Sequence, residues 1–175
     1  MKEMSMKEKF MGDLKRIFDF FLKVLAENAP VSPVVEAELS EINRRHVERV
    51  GLLYDNYDEQ LRAVTEKYEN KAKAALSTLQ NGLGDNLEEL AGMLRQGVEV
   101  EIAKARALEK AHQQRDEARE EVARIQAELN RFIEGLSREW AAKAEVILRE
   151  AEAECNQLLL SVGLAELTFR GTDQN

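Results

Sequence analysis

The chain has 175 residues, with 33 acidic against 25 basic side chains and a net charge of −8. Charged residues make up 33% and hydrophobic ones 44%, which excludes a disordered chain and a membrane-spanning one alike. Nine Gly and two Pro are too few for a sandwich, a barrel or a linker-rich protein, so the composition points to an all-α fold.

No stretch approaches about 18 uninterrupted apolar residues. No segment is strongly basic, so no nucleic-acid partner is expected. A single Cys excludes an internal disulfide and fits a reducing, cytoplasmic setting.

The first element is a short amphipathic helix near 5–27, within an N-terminal segment 1–28. Ser5 followed three residues later by Glu8 has the form of a capping box. The helix carries Phe10, Met11, Leu14, Ile17, Phe18, Phe20, Phe21, Leu22, Val24 and Leu25, an apolar arc wider than one helix partner covers. Charges interrupt it every few positions and no small-residue cleavage site follows, so it does not read as a signal peptide. Two fates suit such a face. One is burial against protein. The other is the surface of a membrane, which Lys2, Lys7, Lys9, Lys15, Arg16 and Lys23 permit and which Glu3, Glu8, Asp13, Asp19 and Glu27 weaken.

Pro30 and Pro33 end that helix. Ser32 then stands as an N-cap with Pro33 at the first helical position. The second helix is expected over 33–80. The stretch Asn81-Gly82-Leu83-Gly84-Asp85 reads as the next turn, with Asp85 and Glu88 as a capping box for a third helix over 86–162. Gly92 and Gly97 mark the weakest helical stretch inside it. Gly163 ends it, and 163–175 reads as a flexible tail.

The long helices share a rhythm. In the second, apolar or aromatic positions recur every 11 residues: Leu39, Val50, Leu61, Ala72; Ile42, Leu53, Val64, Ala75; and Val35, His46, Tyr57, Tyr68, Leu79, in which His46 is the misfit. The third repeats it with Ile125, Leu136, Ile147, Leu158; Leu129, Trp140, Ala151, Val162; and Val122, Ile133, Ala144, Cys155. Eleven residues over three turns is ~3.67 per turn, so the seam runs nearly along the axis rather than winding left-handed as a strict heptad does. The expected architecture is a long antiparallel coiled-coil-like hairpin over 33–162.

Pairing outward from Leu83 sets Pro33 opposite about Phe132 and leaves about 30 residues of the third helix as an apolar overhang. The interface residues expected from this are Phe10, Leu14, Phe18, Phe21 and Leu25 on the first helix, with Ile133, Leu136, Trp140 and Ile147 on the overhang. The partner expected is a second copy, a dimer most simply, together with another protein.

The same pairing sets the polar run 108–121 against 45–58. It suggests either a register-fixing waist or a polar recognition site built on Tyr54, Tyr57 and His112. Glu109-x-x-His112 matches half of a di-iron element, but the set lacks its second copy. Cys155 lies on a seam series, which suits an inert buried thiol. No Gly-rich phosphate loop or nucleophilic triad is present. The expectation is therefore a non-enzymatic scaffold or adaptor with no cofactor and no metal. The alternatives are a peripheral membrane-binding protein and, further off, a helical-bundle metalloprotein.

Overall fold

The computed structural model describes residues 5–28 and 32–164. It contains α1 (Met6–Asn28), α2 (Pro33–Arg95) and α3 (Val100–Ser161), and no strand among the described residues. The fold is an all-α helical hairpin, α2 with α3, preceded by a short helix.

Local chemistry fixes the helix starts. The Ser5 amide donates to Glu8 Oε2 at 2.8 Å and the Glu8 amide to Ser5 Oγ at 3.2 Å, a reciprocal capping box. Ser32 Oγ accepts from the Val34 amide at 3.2 Å, with Pro33 in the first turn where no amide is needed. The proposed break at Pro30 falls outside the described residues.

The hairpin turn does not lie at 81–85. α2 runs straight through Gly82 and Gly84, and the chain reverses at 96–99. Gly97 has φ +83°. Its amide donates to Leu94 O and that of Val98 to Met93 O, both at 3.1 Å, which is the paired-bond stop that a left-handed glycine makes possible. Gly163, φ +80°, ends α3 in the same way, with Gly163 to Leu160 O and Leu164 to Leu159 O. Residues 165–175 of the proposed tail lie outside the described residues.

Gly82 has a different job. A Cβ there would lie 3.0 Å from Gln114 Nε2, and that amide donates to Gly82 O at 3.2 Å. The glycine admits a crossing side chain, and the helix continues.

Moving the turn moves everything paired from it. α2 has 63 residues and α3 has 62, so neither outruns the other and the overhang does not exist. Its premise was the Leu83-centred register.

The chain divides into two compact units. The first comprises residues up to Glu59 and from Leu136 onward. There α1, the start of α2 and the end of α3 form a three-helix bundle. Its core holds Leu14, Phe21, Leu25, Val50, Ala144, Ala151 and Leu159, all essentially inaccessible. A buried Leu or Phe of this kind stabilises a fold by roughly 1.5–3 kcal/mol. The second unit, Gln60–Gly135, has two helices only, and its buried side chains are Asn86, Ala103 and Ile125.

In the two-helix unit the seam is short on apolar volume and polar groups set the register. Asn86 Nδ2 donates to Ala107 O at 2.8 Å, across the seam from the Gln114–Gly82 contact. Lys71 pairs with Glu128 and Lys110 with Glu89 at its rim. The 11-residue series extend farther than the apolar residues alone revealed. Tyr57, Tyr68 and Leu79 continue to Leu90, all half-buried, and Ala107 and Ala118 precede Leu129.

Candidate interaction surfaces

The expected interface residues divide by location. Phe10, Leu14, Phe18, Phe21 and Leu25 are all buried within a single chain, in the core of the three-helix unit. Trp140 and Ile147 are buried there too. Phe10 meets Trp140 edge-on at 5.1 Å between ring centroids, and Tyr54 and Tyr57 flank the same indole at 6.0 and 5.9 Å. Lys7 Nζ lies 4.8 Å above the Tyr54 ring. The apolar arc of α1 is wide because two helices cover it. The membrane-surface reading needs the same face, which is occupied. Leu136 is half-buried in this unit, and Ile133 is half-buried in the other.

The residues expected to form a polar recognition site fall in different units of the chain. Tyr54 and Tyr57 belong to the aromatic cluster around Trp140, and Tyr57 Oη sits 3.0 Å from Ser137 Oγ. His112 belongs to the two-helix unit, where it is exposed. The physical reason is the displaced turn: with reversal at 96–99, the run 108–121 pairs with the stretch of α2 around Gly82. Within that run Gln114 enters the seam and fixes register.

His46, the apparent misfit, is the polar residue most deeply placed in the core, at 1% exposure. Its Nε2 lies 3.2 Å from Glu154 Oε1 and its Nδ1 3.4 Å from an Arg49 guanidinium nitrogen. Arg45 pairs with Glu154 at 2.7 Å and Arg49 with Glu150 at 2.6 Å, closing a charged rim over the ring. Burial lowers the His46 pKa below the usual 6.5, against the opposing pull of Glu154. The sequence signal was present, since His46 keeps the 11-residue beat.

Cys155 is buried and its thiol is pushed up to about 12, first by burial and then by Glu154 and Glu152. It has the wrong protonation state for a nucleophile at neutral pH. Trp140 Nε1 is buried with no hydrogen-bond partner among the described residues, and its indole packs among Phe10, Tyr54 and Tyr57. Among the described residues no group of three or more His, Cys, Asp or Glu side chains is placed to hold a metal, and Glu109 with His112 finds no further ligands. No helix among them is long and apolar enough to cross a membrane.

Uncovered apolar side chains occur in both units; in the three-helix unit Leu52 is 70% exposed, Val34 67% and Leu160 53%. In the two-helix unit Leu87 is 66% exposed, Leu108 60%, Leu76 54% and Leu94 42%. Leu87 and Leu108 help line a groove of about 530 Å³, with Leu83, Leu90, Ala107 and Ala111 and with the polar Asn86 and Lys104. A second cleft of about 750 Å³ opens on the same unit between Lys71, Thr78, Glu117, Glu121, Arg124 and Glu128, and its lining is mixed in charge. Solitary exposed leucines are ordinary, and a contiguous apolar groove is less so. These residues were missed because the expected turn at 81–85 placed Leu83 and Leu87 in or beside a loop.

No protein-family model, curated protein or solved structure matches the chain.

Proposed function

We propose that the protein is a non-enzymatic helical scaffold or adaptor that acts through self-assembly and protein–protein contact. The three-helix unit serves as its stable body and the two-helix unit presents the contact surface. One observation bears most on this reading: the first unit holds a large buried core around Phe21, Leu14 and Trp140, whereas the second buries only Asn86, Ala103 and Ile125 and leaves a leucine-lined groove open. Exposed apolar surface of that continuity is unfavourable in water by ~25 cal/mol per Å², and association removes the cost.

The direct test is the mass of the purified chain by sedimentation equilibrium over a wide concentration range. Self-assembly predicts a mass that rises from 19.9 kDa toward a multiple of it. A mass fixed at the single-chain value throughout removes self-assembly. Flotation with anionic vesicles tests the membrane alternative, and the protein is expected to stay at the bottom of the gradient because the α1 face is already packed.

A further inference from the structure

His46 stands where the 11-residue beat calls for an apolar side chain, and its ring is buried. A buried polar ring has to be matched atom by atom, so its neighbours fix the form it holds. Arginine carries donors only and stays charged. Arg49 Nη1 lies 3.4 Å from His46 Nδ1, so Nδ1 is the accepting nitrogen and the neutral ring keeps its proton on Nε2. The same Nη1 lies 2.6 Å from Glu150 Oε2. One guanidinium nitrogen, with two N–H groups to give, thus joins a rim carboxylate of α3 to a buried ring of α2. On the other side Nε2 faces Glu154 Oε1 at 3.2 Å without the alignment of a hydrogen bond, while Glu154 Oε2 accepts from Arg45 at 2.7 Å.

From this arrangement we propose that His46 is an acid-sensitive clasp between α2 and α3. A second proton, taken from solvent onto Nδ1, turns the acceptor into a donor, expels the Arg49 guanidinium and loosens the contact of the two helices in the three-helix unit.

The chemistry of each neighbour supports this. Once Nδ1 carries a proton, two donors and two cations stand face to face, and Arg49 keeps only Glu150. Burial acts first against the charged ring. Glu154 opposes it, and Arg49 and Arg45 reinforce it. Glu154 is already committed to Arg45, so it does not take up the new charge undivided. Cys155 beside it is a neutral thiol. The helix α1 meets this core with Leu14, Ile17, Phe18, Phe21 and Leu25, all apolar. The polar side chains that enter the seam of the two-helix unit are Asn86 and Gln114, which do not titrate, so the response belongs to one unit.

The test is nitrogen-15 NMR of the imidazole in the full chain carrying His112→Gln, which leaves His46 as its one histidine. At neutral pH a single tautomer with the proton on Nε2 is expected. Arg49→Leu should move the titration midpoint up, because a donor and a positive charge are gone from Nδ1. Glu154→Gln should move it down. Amide protection factors over 42–53 and 147–158 should fall several-fold as the pH drops through the midpoint, with those over 79–90 unchanged, and His46→Leu should abolish the fall. Should His46→Leu fail to fold, the titration and the two charge variants still decide. A neutral ring protonated on Nδ1, a midpoint indifferent to Arg49→Leu, or protection that survives protonation of the ring overturns the clasp.

Discussion

The three-helix unit and the two-helix unit are built from the same two long helices, and they differ in what a third helix supplies. In the first, α1 adds Phe10, Leu14, Ile17, Phe18, Phe21 and Leu25, and the 11-residue seam of α2 and α3 closes into a core around Trp140 and Ala144. In the second, the seam continues through Ala103, Ala107, Gln114 and Ala118, side chains too small or too polar to make a core. An unbroken pair of helices can thus be well packed along one stretch and poorly covered along the next. Its sequence period does not distinguish the two; its side-chain volumes do.

The largest contrast should come from core truncation. Phe21→Ala or Trp140→Ala should cost about 3–5 kcal/mol of unfolding free energy, since each empties a fully packed site. Leu87→Ala in the two-helix unit should stay within about 0.5 kcal/mol when measured at concentrations too low for association. Urea titration followed by circular dichroism reads both. Comparable losses at the two sites would erase the distinction between the units.

Next is the reversal. Gly97→Ala forces an L side chain into φ +83° and should destabilise the hairpin by roughly 1–2 kcal/mol. Gly84→Ala, at a helical φ with open space around it, should stabilise an isolated chain by up to ~1 kcal/mol. The pair sharpens the account of the turn, because opposite signs are expected for two glycines that look alike on paper.

A smaller effect belongs to the first cap: Ser5→Ala should cost ~1 kcal/mol, with fraying of α1 seen as faster amide exchange over its first turn.

The smallest is a pH effect confined to the three-helix unit. The His46 pKa is depressed in the folded chain, so the unfolded state takes up its proton first as the pH falls. Stability should therefore be complete above the ordinary value of 6.5, decline as the pH drops below it, and level off once the folded-state pKa is passed. Glu154, Arg45 and Arg49 all act on the ring, and Glu150 pairs with Arg49, so the comparison that isolates it is His46→Gln. The variant should lose that part of the slope. An unchanged slope assigns it to the carboxylates.

Much of this was legible in the residues. Capping is local, so Ser5 with Glu8 and Ser32 with Pro33 announced the starts of α1 and α2. Periodicity is also local, and it gave the 11-residue beat of the hairpin, with His46 read as its one misfit although it is buried on the beat. The reversal was misplaced because glycine carries one signal for two physical uses. Asn81-Gly82-Leu83-Gly84-Asp85 has the composition of a turn, yet Gly82 is there to let Gln114 cross. The true stop at Gly97 lies among Gln96, Val98 and Glu99, without a Pro or a second turn residue to flag it.

That one displacement, about 15 residues along the chain, created an overhang that does not exist and grouped Tyr54 and Tyr57 with His112, which belongs to the other unit. It also hid the leucine-lined groove, since Leu83 and Leu87 were placed in or beside a loop. Long-range pairing inherits every error in the turn it is counted from.

The central claim is that the two-helix unit, and not the α1 face, is where the protein meets company. Amide hydrogen exchange at low and at high protein concentration tests it most directly. The account predicts slower exchange at high concentration over residues 76–94 and 104–115, with α1 unchanged at Met6–Asn28. Concentration-dependent protection in α1, with none over 76–94, would contradict it.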